Sequence, residues 1–121
     1  MTNIKQWEDI CETSDILPNI GVCALFEDQQ VAIFKVIDQA GSEQLYAISN
    51  YCPFSESNTL SRGLIGSLDE KIVVASPLYK QHFDLATGIC LEDDGIKVNT
   101  YPVRLEGSTI QLEAVRSHHE L

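Results

Sequence analysis

Short runs of β-branched and apolar residues, separated by turn-forming residues, recur along most of this chain. They predict strands at 22–26, 31–37, 45–48, 64–66, 71–75, 82–86, 97–105 and 109–114. Helical patterning is confined to one predicted turn at 14–18, where Ser14 and Asp15 are good caps and Pro18 ends the turn. Short strands with turns between them are typical of sandwiches and barrels. The sequence therefore predicts an all-β antiparallel sandwich or barrel.

Length and charge limit what such a chain does. Its 121 residues, 44% of them hydrophobic, are enough for one domain with a real core. We expect that domain at 1–115, with a flexible polar tail at 116–121. The chain has no apolar run of spanning length, and its first nine residues lack a leader pattern, so a cytoplasmic location is expected. A net charge of −10 disfavours binding to nucleic acid or to an anionic membrane.

The four cysteines, Cys11, Cys23, Cys52 and Cys90, form no Cys-x-x-Cys pair. The sequence therefore specifies neither a zinc ribbon nor a redox dithiol, and free thiols are expected in a cytosolic chain. Cys23 lies in an apolar run and is predicted to be a small core residue. Cys52 is the one candidate nucleophile, but no basic residue adjoins it in sequence. No catalytic residue and no metal ligand set is assigned.

Two proline-containing loops carry the most specific pattern. Asn-Tyr-Cys-Pro-Phe occupies 50–54, and Ser-Pro-Leu-Tyr-Lys-Gln-His occupies 76–82. Each loop follows a predicted strand, and each proline fixes the angle at which the chain leaves that strand. The second loop continues into Phe-Asp-Leu-Ala-Thr-Gly at 83–88, where Gly88 suits a positive φ.

The order and spacing of these segments resemble a Rieske iron–sulfur domain, over about 22–112. A Rieske [2Fe–2S] centre is held by two cysteines and two histidines. The resemblance places Cys52 at the first cysteine, Phe54 at the first histidine, Ser76 at the second cysteine and Tyr79 at the second histidine. One ligand of the four remains, so the resemblance implies a Rieske-like fold with a smaller loop subdomain and degenerate cluster positions.

Among Rieske-like proteins, the chain most resembles the small subunits of cytoplasmic, assimilatory NAD(P)H-dependent nitrite reductases. The resemblance includes the segment around Trp7, Ser-Arg-Gly at 61–63 and Ser-Pro-Leu-Tyr-Lys-Gln at 76–81. It implies an accessory, non-catalytic role in the reduction of nitrite to ammonia, in nitrate and nitrite assimilation. It also implies that this chain carries no cofactor, and that a large partner subunit carries FAD, sirohaem and an iron–sulfur cluster.

The space of a lost cluster must be filled, because protein interiors are close-packed. Phe54, Leu78 and Tyr79 are the candidates to fill it. The same side chains, together with Lys80, also suit an apolar docking surface for the large subunit. At this stage the residues are equally consistent with core plugs and with a partner interface.

Two other functions stay open on the sequence alone. One is an electron-transfer Rieske ferredoxin with unorthodox ligands, although only Cys52 and His82 near the loops are thiolate or imidazole donors. The other is a free-standing binding module on the same fold. Glu-Asp-Asp-Gly at 92–95 lacks the spacing of a calcium loop and is predicted to be an acidic turn.

Overall fold

The computed structural model describes residues 3–38, 40–78 and 80–117, and within them every sheet is antiparallel. The first sheet has the order β1-β11-β10 and contains β1 (Asn3–Glu12), β10 (Val103–Glu106) and β11 (Thr109–Ser117). The second sheet contains, in chain order, β2 (Gly21–Phe26), β3 (Gln29–Ile37) and β4 (Glu43–Ser49). The prediction of an all-β chain is confirmed.

The remaining strands build the smaller part of the fold. A third sheet contains β7 (Leu64–Leu68), β8 (Lys71–Ala75) and β9 (His82–Asp84), again in chain order. Two very short strands, β5 (Tyr51–Cys52) and β6 (Ser57–Asn58), pair as a ribbon beside it. Short 3-10 helices occupy Thr13–Asp15 and Leu60–Arg62. No helix among the described residues is long and apolar enough to cross a membrane.

Strand β3 is the centre of a three-layer arrangement. Residues 31–36 are all buried, which a strand with one covered face does not show. Val31 and Ile33 belong to a core cluster shared with β11, whereas Ala32 and Phe34 belong to a second cluster shared with β8 and β9. The middle sheet is therefore covered by the first sheet on one face and by the third sheet on the other.

The absence of alternation at 72–75 also predicts a strand covered on both faces. The side chains of Val73 and Val74 point to opposite faces of β8, and they are 1% and 0% exposed. The prediction is confirmed. The second proline-containing loop, which follows β8, therefore begins at a strand that is packed on both faces.

The Phe-Asp-Leu-Ala-Thr-Gly segment forms a tight turn after β9. The Asp84 carboxylate accepts a hydrogen bond from the Ala86 N–H at 2.9 Å, and the Asp84 carbonyl accepts one from the Gly88 N–H at 2.7 Å. Gly88 has a φ of 81°, and a Cβ there would lie 2.1 Å from the Val98 carbonyl oxygen. Only glycine fits this position, so the motif serves the shape of the turn.

Several sequence predictions were wrong in detail. Strand β1 was not predicted, because its polar residues gain a partner only from β11, about a hundred residues later. The strand predicted at 97–105 is confined to Val103–Glu106, and the predicted turn at 14–18 is a 3-10 helix at Thr13–Asp15. Strand β11 runs to Ser117, and residues 118–121 lie outside the described residues, so the tail at 116–121 stays a prediction.

Cys23 was also predicted wrongly, since it is exposed rather than in the core. Alternate residues of a strand point to opposite faces, and in β2 it is Val22 and Ala24 that pack against the core. The Cys23 thiol instead donates to Gln30 Oε1 at 3.4 Å.

Candidate functional site

The two proline-containing loops meet at one end of the smaller part of the fold. Cys52 Sγ lies 3.3 Å from Ser76 Oγ, and both residues are 0% exposed. The first loop leaves the ribbon strand β5, and the second joins β8 to β9. The two positions predicted to correspond to cluster cysteines are therefore adjacent, and they contact each other directly.

The Cys52 sulfur is surrounded by hydrogen-bond donors. Burial alone would raise the pKa of this thiol, but the Ser55 and Ser76 hydroxyls and the backbone of Ser55 and Phe54 lower it below the ordinary value of a cysteine. Because the sulfur is fully buried, a low pKa does not make it an accessible nucleophile. Cys52 is a structural thiol whose partners lie within the two loops.

Phe54 closes the space between the loops and the third sheet. It is half-buried and packs against the core cluster that contains Cys52. Its ring centroid lies 6.0 Å from that of Phe83, at an interplanar angle of 51°. Phe83 is fully buried in β9. The Phe54 ring therefore packs against another aromatic ring at the edge of this core cluster.

Leu78 and Lys80 behave differently from Phe54. Leu78 is 63% exposed, so the expectation that it fills the lost cluster volume is wrong. Lys80 is exposed as well, in the left-handed region with a φ of 68°. Its N–H donates to the Ser76 carbonyl at 2.9 Å, and the Ser76 N–H donates to the Gln81 carbonyl at 2.8 Å. These two hydrogen bonds close the loop, and the side chains of Leu78 and Lys80 are exposed on it. Tyr79 lies outside the described residues.

His82 does not join Cys52 in a metal site. Its Nδ1 lies 2.6 Å from Glu92 Oε2, and its backbone N–H donates to Glu92 Oε1 at 2.8 Å. Burial opposes ionisation of Glu92, but these interactions with His82 lower the pKa of the carboxyl below its ordinary value. In the described part of the chain, no three His, Cys, Asp or Glu residues form a group able to hold a metal ion.

The sequence did not reveal the role of Glu92, because it is ten residues from its partner and was interpreted only as part of an acidic turn. The turn itself is present, since the Asp93 carboxylate accepts the Gly95 N–H at 3.1 Å. Cys90 pairs with Phe83 in a β-bridge and its thiol donates to Glu92 at 3.6 Å. It is therefore part of the same subdomain.

Asn50 anchors the base of the first loop. It is 2% exposed, and its Oδ1 accepts the Ser61 N–H at 2.6 Å. Its Nδ2 donates to Gln30 Oε1 at 3.1 Å and to Cys23 Sγ at 3.4 Å. The backbone of Asn50 also bonds to Gln30 and Leu60. One side chain therefore joins the β2–β3 hairpin, the end of β4 and the segment at 60–62, a role that sequence reasoning missed.

The residues present do not fit a Rieske cluster. A [2Fe–2S] centre of this type needs two thiolates and two imidazoles, and Phe54 and Ser76 supply neither. The direct contact between Cys52 and Ser76 and the ring of Phe54 against Phe83 fill the region where the loops converge. No chemistry is assigned to an iron–sulfur centre in this chain.

Comparison with known proteins agrees with this architecture. Residues 6–113 match the family model described as a Rieske-like [2Fe-2S] domain. The chain is 50% identical over 109 residues to the nitrite reductase (NADH) small subunit of Escherichia coli K12, covering 90% of this chain and 98% of that protein. A crystal structure described as a putative NADH-dependent nitrite reductase small subunit from Mycobacterium tuberculosis superposes with a TM-score of 0.84. It is 35% identical and covers 94% of this chain and 99% of its own.

A different kind of relative carries the domain within a longer protein. The chain is 35% identical over 106 residues to the nitrite reductase [NAD(P)H] large subunit of Klebsiella oxytoca. The match covers 88% of this chain but 11% of that protein. Taken with the small-subunit relatives, these matches place the chain in the Rieske-like family, among the small subunits of nitrite reductase.

Proposed function

We propose that this chain is an accessory, non-catalytic subunit of the cytoplasmic NAD(P)H-dependent nitrite reductase that reduces nitrite to ammonia. In this proposal the chain binds the large subunit and contributes no redox centre. FAD, sirohaem and an iron–sulfur cluster belong to the large subunit, which carries out the electron transfer. The small subunit stabilises or orients that catalytic partner.

One observation carries the proposal: the Cys52 sulfur touches the Ser76 hydroxyl at 3.3 Å in a fully buried contact. A fold that elsewhere holds a cluster here uses the same two loops to make a direct hydrogen bond. The loops are joined through their own side chains, and what they offer to another molecule is the surface that they support. A binding role follows more directly from this arrangement than an electron-transfer role.

The Klebsiella oxytoca relative supports the choice of partner. In that protein a domain similar to this chain lies in the polypeptide named as the large subunit. A covalent link keeps the two parts at a high effective concentration. In our proposal, a small subunit on a separate chain lacks this link and therefore needs a surface that binds the large subunit.

We propose that this surface is the tip of the two loops, formed by Phe54, Leu78, Tyr79 and Lys80. Leu78 supplies exposed apolar area, and Lys80 supplies a cation on a chain whose net charge is −10. Phe54 packs against Phe83, so in this proposal it stabilises the first loop from the core side. An apolar centre with a charged rim is the usual composition of a protein interface.

Co-purification tests the proposal. We expect an affinity-tagged copy of this chain, co-expressed with the nitrite reductase large subunit of the same organism, to retain that subunit in a fixed ratio. The control is the same tag on an unrelated protein of similar size and charge. If both chains fold and the large subunit is recovered only at the control level, the chain is not its accessory subunit.

A further inference from the structure

Strand β7 is an open edge of the third sheet. It pairs with β8 through a two-residue turn at Asp69 and Glu70, both in the left-handed region. In such a hairpin the residues that flank the turn exchange hydrogen bonds, and the bonding then alternates along the strand. Gly66 therefore bonds to β8, whereas the N–H and C=O groups of Ile65 and Ser67 point away from it. Among the described residues, no hydrogen bond satisfies these outward groups.

A cleft of about 540 Å³ runs beside this edge. One wall is Ile65, Gly66 and Ser67 of β7, and the other is the end of β3 at Val36 and Ile37. The floor is apolar and includes Ile65 and Ile72, which lie on the core side of the β7–β8 hairpin. Strand β2 pairs with β3 as far as Phe34, and the segment before β2 extends this pairing to Lys35, where the Asn19 N–H donates to the Lys35 carbonyl at 2.7 Å. Asn19 also lines the cleft, so the free strand edge beside the cleft is that of β7.

The charges along this edge differ between its two ends. Arg62 and Lys80 lie at the end near the loops, and both are exposed. Asp69 and Glu70 form the turn at the other end, and Asp38 lines the cleft. A segment that complements this edge carries acidic groups near the loops, apolar groups facing Ile65 and Ile72, and a lysine or arginine near the turn.

We infer that this cleft binds an extended segment of the nitrite reductase large subunit, which adds to β7 as a further strand. The inference rests on the proposed function and specifies a second contact of the same complex. The main-chain groups of Ile65 and Ser67 provide the pairing, and the apolar floor receives alternate side chains of the segment. A second copy of this chain is a poorer occupant, because two chains of net charge −10 repel each other.

Proline substitution at Ser67 tests strand addition with little cost to the fold. The Ser67 N–H faces outward and makes no bond to β8, so an edge strand tolerates proline there. The matched control is Ser67→Ala, which removes the hydroxyl and keeps the N–H. We expect Ser67→Pro to weaken binding to the holo large subunit at least tenfold in titration calorimetry. We expect Ser67→Ala to bind within twofold of wild type.

Each result has one interpretation. If Ser67→Pro unfolds at the wild-type temperature and binds within twofold of wild type, strand addition at β7 is wrong while the proposed function stands. If the wild-type chain does not bind at all, the proposed function fails first. If light scattering shows a wild-type dimer that Ser67→Pro converts to a monomer, the edge belongs to a second copy and the inference is overturned.

A measurement on the unmodified chain covers the case in which Ser67→Pro does not fold. Amide hydrogen exchange is measured by NMR for the free wild-type chain and for the same chain labelled while it is bound to the large subunit. We expect the amides of Ile65 and Ser67 to exchange at least tenfold more slowly in the complex. Unchanged exchange at both amides, in a complex that is shown to form, would overturn the inference.

Discussion

Replacing Asn50 with alanine is expected to lower the free energy of unfolding by about 3 kcal/mol, at the upper end of the range for leaving buried polar groups without partners. The side chain is 2% exposed and bonds to Gln30, Cys23 and the Ser61 backbone. Alanine leaves the Ser61 N–H without its acceptor and opens a small cavity. Because the Asn50 side chain joins three segments, its removal also weakens the attachment of the loop that carries Cys52. Urea unfolding followed by circular dichroism measures the change.

Asn99→Ala is the matched control, since Asn99 is exposed and its side chain makes no hydrogen bond to the described residues. Its main-chain oxygen, which the substitution keeps, accepts the Ser49 N–H at 2.9 Å. A surface substitution of this kind is expected to stay within about 0.5 kcal/mol of wild type. If Asn50→Ala also stays within that range, Asn50 does not anchor the loop, and the description of the base of the site is wrong.

Leu78→Asp is expected to weaken binding to the large subunit by about tenfold or more, because a charge would have to be buried at the centre of the interface. Leu78 is 63% exposed in the free chain, so the stability of the isolated protein is expected to change little. The dissociation constant is measured by titration calorimetry against the holo large subunit, and the unfolding temperature of the free variant is measured in parallel.

Leu105→Asp is a close control for this substitution. Leu105 is 46% exposed, and the substitution adds the same negative charge on β10, a strand that contributes no residue to the loops or to the cleft beside β7. We expect it to bind as wild type does. Equal weakening by both substitutions would mean that added charge alone reduces binding. Unfolding of Leu78→Asp would instead contradict the exposed position of Leu78 in the free chain.

The sequence was most informative where a pattern is local. Runs of β-branched and apolar residues with turn residues between them predicted most of the strands, and the unbroken apolar run at 72–75 predicted a strand covered on both faces. The resemblance to a Rieske domain placed Cys52 and Ser76 at the two cluster-cysteine positions, and the two side chains are in contact. The resemblance to nitrite reductase small subunits rested on short motifs in a fixed order, which local reading detects well.

What the sequence did not reveal depends on distant partners. Strand β1 is defined by pairing with β11, and Glu92 has its role because the turn after β9 brings it to His82. Asn50 belongs to a visible motif, but its importance comes from Ser61 and Gln30 in other segments. Leu78 and Phe54 are both apolar loop residues, and only the folded structure separates the exposed one from the packed one.

The content of iron and acid-labile sulfide is the most direct test of the central claim that this chain binds its partner without a redox centre. The chain is purified without oxygen, and its visible absorbance is recorded before and after reduction. The account predicts a colourless protein, with iron and sulfide no higher than in a metal-free control carried through the same steps. A brown protein with about two irons and two sulfides per chain, bleached by a reductant, would show a working [2Fe–2S] centre and contradict the account.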